Sequence, residues 1–219
     1  MYSLGVVVLN SKAIVAYFDF DGTLTTKDTL LPFLLHTVGI WRFLRAVPRL
    51  VPILLLYGLK IISNERAKEQ TCIALLRGMT KSTLEIKARR FALEKLDKWI
   101  NPKVYSRLEY HLEHGHQVVL VSANLAIYLM LWAKKHNLHA VIATDLEFIN
   151  DKCTGKLATR NCYGPQKVLR IQEYLQNMGK EFDYSYGYGN SKGDYELLKL
   201  VNEAYWVSDG EISSWNRNL

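Results

Sequence analysis

The sequence predicts an α/β fold: a parallel sheet with helices on both faces, interrupted by an all-helical insert. Three observations lead there. From residue 117 to residue 207, short apolar runs alternate with amphipathic stretches, the pattern of a parallel sheet covered on both sides. Residues 13–18 (AIVAYF) are β-branched and aromatic and end in Asp-Phe-Asp-Gly, as a buried strand ends in a polar turn. Between these regions, residues 28 to about 112 carry almost no strand signal.

The elements follow in order. Residues 1–10 have an apolar patch but no basic flank; they read as an extra strand or a ragged start, not a signal peptide. The insert reads as helices broken at Gly39, Pro48, Pro52, Gly58 and Gly78. Asn101-Pro102 suits N-cap and N1 of a helix that stops at Gly115. Residues 117–121 form a strand, 124–136 a helix and 140–143 a strand. Residues 146–150 and 153–157 suit a hairpin. A helix over 165–178 has Pro165 at N1 and Gly179 as its stop. Residues 184–188 are a strand, 194–202 a helix and 204–207 a last strand. The expected organisation is a core of residues 1–27 and 112–219 with an insert of 28–111.

Composition narrows the class. The chain has 219 residues, 49% hydrophobic and 22% charged, which excludes a disordered or fibrous protein. Cys72, Cys153 and Cys162 are odd in number and lack CxxC spacing, so neither a disulfide framework nor a zinc site is expected. A cytoplasmic, reducing location fits them. The net charge is +7, which suits an anionic partner or substrate.

In parallel α/β sheets, ligands bind at the carboxyl ends of the strands, so the residues there carry the functional reading. After the first strand come Asp19 and Asp21, two carboxylates at i and i+2, with Gly22 and Thr23 next. One carboxylate can attack while the other handles a proton. Ser122-Ala123-Asn124 opens the expected 124–136 helix, where a hydroxyl and free N–H groups suit a phosphate; an ordinary N-cap explains the same residues. Lys167 sits in the first turn of a helix, where a cation is unfavourable for the dipole. A bound phosphoryl group would account for it; a solvated lysine is the plain alternative. Asn190 and Asp194 lie four apart across a Gly-containing loop. They offer oxygen ligands for Mg²⁺, or an Asx turn followed by an N-cap.

Taken together and in this order, these residues resemble the haloacid dehalogenase superfamily of phosphohydrolases. Asp19-Phe-Asp21-Gly-Thr-Leu-Thr is similar to its first motif, Ser122 to the second, Lys167 to the third, and Gly189-Asn190 to Asp194 to the fourth. The helical insert between the first two motifs resembles the C1 cap of phosphoserine phosphatase-like members, and the stretches Asn161–Lys167 and 189–198 look closest to the branch that includes phosphatidylglycerophosphatase C-like proteins. The resemblance implies a Rossmann-like core and a phosphatase. Asp19 would be the nucleophile, forming an aspartyl-phosphate, and Asp21 the general acid and base. The backbone around Gly22-Thr23 and Ser122-Ala123-Asn124 would hold phosphate oxygens, with Lys167 offsetting their charge. Mg²⁺ would lie among Asp19, the Asp21 carbonyl and Asn190, with Asp194 in support. The family usually has Asp where this chain has Asn190; one negative charge fewer implies weaker metal binding. Asp28, nine residues after Asp19, matches a carboxylate that phosphoserine phosphatases use toward substrate, and equally suits an N-cap.

The positive charge is concentrated in the insert. Residues 41–103 hold 14 Lys and Arg against 5 Asp and Glu, a net of +9, and the rest of the chain nets −2. Arg42, Arg45 and Arg49 recur at helical spacing beside Trp41, Phe43 and Leu44. They suit an anionic bilayer surface or the steering of an anionic substrate into the site. The charge-free run 50–59 is ten residues, short of the ~20 that span a bilayer. The expected partners are a phosphorylated substrate and, peripherally, the inner face of a membrane. No nucleic acid is expected, because no aromatic platform interleaves the basic residues. His111, His114 and His116 read as surface histidines. Two rival readings stay open: a soluble small-metabolite phosphatase of the phosphoserine type, and a catalytically weak binding protein.

Overall fold

The computed structural model describes residues 13–216. The strand or ragged start expected for residues 1–10 lies outside them. Among the described residues, six strands form one sheet in the order β3-β2-β1-β6-β7-β8. They are β1 (Ile14–Phe18), β2 (Gln117–Leu125), β3 (Ala140–Thr144), β6 (Tyr184–Gly189), β7 (Glu203–Ser208) and β8 (Glu211–Ser214). The first five run parallel, and β8 returns antiparallel to β7. The Asp209-Gly210 turn before β8 has positive φ at both residues, as a two-residue hairpin requires. Residues 211–214 (EISS) hold a single apolar side chain, so the amino-acid pattern carries no signal for this strand.

Alternation along β1 builds two cores. Val15 and Tyr17 face one side, with Ile171 of α6 (Pro165–Met178) and Leu197 of α7 (Tyr195–Leu200). Ala16 and Phe18 face the other, with Leu129 and Trp132 of α5 (Ala126–Lys135). Burial on both faces makes β1 and the first part of β2 near-continuous apolar runs. Because β1 is central, its carboxyl end lies in the middle of the sheet's edge.

The insert comprises α1 (Leu30–Gly58), α2 (Asn64–Leu76) and α3 (Lys81–Glu94). The expected helix breaks hold at Gly39, where φ is 76° and α1 bends, and at Gly58 and Gly78. They do not hold at Pro48 and Pro52, which sit inside α1. Both prolines are exposed, so the carbonyls they leave without an N–H partner can face water, and the helix continues. The apolar segment is therefore longer than the ten residues expected: α1 is long and apolar enough to cross a membrane by length and composition. Its packing against α2 and α3 opposes insertion, with Ala46 and Leu50 buried there.

Helix α4 (Pro102–Glu113), most of which lies within the expected insert 28–111, packs against β2 and β8 of the core sheet. Asn101 caps it through Lys103 N–H at 3.1 Å, as expected. The hairpin β4 (Leu146–Ile149) and β5 (Lys152–Leu157) forms a separate two-stranded sheet against α2. A Cβ at Gly155 would lie 2.4 Å from Ile73 Cα, so glycine is what allows β5 to approach the helix backbone.

Of the three histidines expected at the surface, His114 is exposed, His116 is half-buried and His111 is buried. His111 is 1% exposed and hydrogen-bonds Tyr188 Oη at 2.9 Å and His116 Nδ1 at 2.7 Å. Burial and the neighbouring His116 push its pKa down to about 4. The reason is that α4 turns this face onto the sheet.

Candidate active site

The site is built where β1 ends. Asp19 N–H donates to Tyr188 O of β6 at 3.0 Å, and the turn that follows closes through Thr25 N–H to Phe20 O at 2.9 Å. Gly22 has φ 77°, and a Cβ there would fall 2.1 Å from Asn190 Nδ2. Glycine thus lets the first turn press against the loop after β6.

Lys167 is the centre of the charge network. Its Nζ donates to Asp19 Oδ1 at 2.6 Å, Asp194 Oδ1 at 2.6 Å and Val121 O at 2.8 Å. It is 1% exposed. Burial works against its charge, but Asp19 and Asp194 outweigh burial and raise its pKa above the ordinary lysine value. The sequence puzzle of a cation in the first turn of α6 is thereby answered by two carboxylates. Asp194 Oδ2 accepts from Asn190 N–H, Ser191 N–H and Ser191 Oγ at 2.8–3.2 Å. Both of its oxygens are committed to protein donors, so it shapes the loop that carries Asn190.

Asp19 is nearly buried. Burial and the charge of Asp194 raise its pKa to about 6, against the pull of Lys167 and Thr23. Thr23 Oγ1 lies 3.0 Å from Asp19 Oδ2 and 3.3 Å from Asn190 Oδ1, so these two oxygens converge on one side of the turn. Asp21 Oδ1 accepts from Thr29 N–H at 2.8 Å and Thr29 Oγ1 at 2.6 Å, and Oδ2 from Asn124 Nδ2 at 2.6 Å. Burial and Asp28 raise its pKa to about 7, with Thr29 and Asn124 opposing.

A cavity of about 430 Å³ unites most of the expected residues: Asp19, Asp21, Asp28, Ser122, Ala123, Asn124, Lys167, Asn190 and Asp194 all line it. Thr23 is buried beneath, between Asp19 and Asn190. Asp28 lines the cavity and accepts from Leu30 N–H at 2.9 Å, but the N-cap of α1 is Thr29, so Asp28 stands one residue before the cap position expected of it. Ser122-Ala123-Asn124 does not open a helix as expected: β2 runs on to Leu125 and α5 starts at Ala126. The pairing of β2 with β3 resumes at Leu125↔Thr144 after a register shift, which extends the strand past Ser122. Ser122 Oγ accepts from Asn124 N–H at 3.0 Å.

Arg42, Arg45 and Arg49 do not line this cavity. They face a separate groove with Arg77 of the α2 C-cap.

Several site residues escaped the sequence reading. Thr29 and Tyr128, 3.0 Å apart, back Asp21; adjacency to Asp28 was the only signal for Thr29. Lys68 of α2 lines the cavity and donates to Ala123 O and, at 2.8 Å, to Asn161 Oδ1. Burial lowers its pKa, and Asp21 and Asp28 oppose that. No spacing pattern links Lys68 to the strand ends, since α2 brings it there by packing.

Three comparisons accord with this geometry. The family model for haloacid dehalogenase-like hydrolases matches residues 16–199. The chain belongs to that family. It is 29% identical to Protein CicA of Caulobacter vibrioides, across 89% of this chain and 86% of that one. Its fold is similar to a Bordetella pertussis Tohama I protein of unknown function, with TM-score 0.78, 24% identity and 89% coverage of both chains. A probable phosphoserine phosphatase from Vibrio cholerae has TM-score 0.66 at 12% identity, covering 89% of this chain and 56% of that one. A substrate-bound phosphoserine phosphatase has TM-score 0.60 at 15% identity, covering 90% and 86%.

Proposed function

We propose that this hydrolase is a Mg²⁺-dependent phosphomonoesterase that works through an aspartyl-phosphate on Asp19. The observation that carries the reading is the buried Asp19–Lys167–Asp194 network with Asp21 in the same cavity. An Asp19 oxygen forms the bond to phosphorus as the ester oxygen leaves, and Asp21 gives that oxygen its proton. Asp21 then takes a proton from water, which attacks phosphorus and frees Asp19 and inorganic phosphate. A carboxyl with a pKa near 7 serves both steps close to neutral pH. Lys167 offsets the charge that builds on the phosphoryl oxygens. Ser122 and Ala123 line the cavity where those oxygens would lie.

The donor set fits Mg²⁺. Asp19, the Asp21 carbonyl and Asn190 are hard oxygen donors, and the shared Thr23 contact places the Asp19 and Asn190 side-chain oxygens together. When bound, the ion would supply the positive charge that lets one anion approach another.

Within this class, the favoured substrate is a lipid-linked or membrane-proximal phosphate, met at the inner face of a membrane. Leu31, Leu54 and Tyr57 of α1 line the cavity beside its polar floor, which gives an apolar rim to an anionic site. A second reading, a soluble phosphatase for a small zwitterionic metabolite, is favoured by Asp28 and Lys68 in the same cavity. Release of phosphate from an aryl phosphate, lost on chelation and restored by Mg²⁺, tests the shared chemistry. A screen of lipid, amino-acid, sugar and nucleotide phosphates separates the two substrates.

A further inference from the structure

The second half of α1 carries two surfaces that the catalytic site does not use. On one flank, Arg42, Arg45 and Arg49 stand at i, i+3 and i+7, one side of a helix. With Arg77 they line a groove of about 530 Å³, whose other walls are Ala46, Ile53, Gln70, Ile73 and Ala74. Among the described residues, no carboxylate lines it. Among the described residues none of these arginines has an ion pair within 4.0 Å, and the one hydrogen bond from them is Arg42 Nη2 to Arg77 O at 3.3 Å. Four guanidinium groups lining one groove give it a concentrated positive potential. Their planar donor forks match phosphate oxygens.

The second surface is apolar. Trp41 (75% exposed), Leu44, Val51, Leu55 and Leu59 (70% exposed) project from the side of α1 turned away from Ala46 and Leu50. Their spacing follows the helical repeat, so they make one strip about 28 Å long beside the arginine row. A contiguous apolar strip of this kind marks an interaction surface.

We infer that the Arg42–Arg45–Arg49–Arg77 groove is a headgroup site for an anionic phospholipid, with α1 lying in the membrane interface. The apolar strip enters the acyl boundary and the arginines meet phosphate at headgroup level, as in an interfacial helix. Charge complementarity selects the occupant: a second protein copy would bring its own arginines to the same place. Because α1 also supplies Leu54 and Tyr57 to the catalytic cavity, docking would hold that cavity one helix diameter, ~10 Å, from the lipid surface. The inference rests on the membrane-proximal reading above, but its test reads binding without turnover.

The experiment is vesicle flotation of the full chain at low salt, with phosphatidylcholine vesicles carrying or lacking phosphatidylglycerol. Wild type should float only with the anionic vesicles. Arg42→Gln, Arg45→Gln, Arg49→Gln and Arg77→Gln should each weaken partitioning roughly fivefold, and together several hundredfold. Hydrolysis of a soluble aryl phosphate should stay unchanged, since none of the four touches the catalytic cavity. Leu55→Ser with Leu59→Ser should also release the chain from vesicles. Equal flotation of the Arg77→Gln and wild-type chains would overturn the groove while leaving a membrane location intact. Failure of wild type to float would overturn both. Pyrophosphate bound by a chain that ignores vesicles, or a stable dimer that hides the strip in sedimentation, would also overturn the lipid assignment.

Discussion

The floor of the catalytic cavity and the outer groove of the insert treat charge in opposite ways. On the floor, Lys167 is buried and every oxygen of Asp194 has a protein donor. In the groove, among the described residues, four arginines share one hydrogen bond and no acid. Charges paired in a dry site are preorganised for a transition state and need no rearrangement during reaction. Charges left open at a surface are available to a partner, and they contribute little to holding the fold. The same +7 chain therefore spends its cations in two distinct ways.

The largest expected effect comes from breaking the floor. Lys167→Met leaves Asp19 and Asp194 buried without their cation, and removal of one member of a buried pair destabilises by about 3–5 kcal/mol. Turnover should fall by about a thousandfold or more. Urea unfolding and aryl-phosphate kinetics read the two losses, and a variant within tenfold of wild type would remove the contrast with the groove.

Asn190→Asp sharpens the comparison by adding a charge to the floor. A second carboxylate beside Asp19 should lower the Mg²⁺ concentration for half-maximal activity by about tenfold. A magnesium titration decides this, and an unchanged midpoint would place Asn190 outside the metal's reach.

His111 gives a smaller effect, visible as pH dependence. Its pKa is about 4 in the folded chain against 6.5 ordinarily, so unfolding takes up a proton between those values. Its contribution is present above pH 6.5 and is lost as pH falls toward 4. Melting temperatures should drop through that window, and His111→Gln should show a shallower slope.

The smallest effect belongs to the groove. Arg45→Gln and Arg49→Gln should change stability by no more than about 0.5 kcal/mol, because no described residue forms an ion pair with them. Denaturant midpoints check this, and a loss above 2 kcal/mol would mean that the arginines are structural.

Much of the floor was legible in the sequence for a local reason. Asp19, Lys167 and Asp194 each follow a strand or open a helix, so short-range patterns fix their height at the sheet's carboxyl edge. What was hidden depended on packing. Lys68 reaches the cavity only because α2 lies over Ala123 and Asn161. The arginines looked equally suited to the active-site mouth until the bend at Gly39 and the unbroken path through Pro48 and Pro52 set their direction. Ser122 looked like the N-cap at a helix start, yet it sits inside β2. Its side chain instead accepts from Asn124 N–H at 3.0 Å, and that of Asn124 turns to Asp21.

The central claim is that Asp19 carries the phosphoryl group. Rapid acid quench during turnover of a ³²P-labelled aryl phosphate, followed by peptide mapping, tests it most directly. The account predicts hydroxylamine-labile label on the peptide containing Asp19 and none in Asp19→Asn, which should be folded and inactive. Label on another residue, or undiminished turnover by Asp19→Asn, would contradict it.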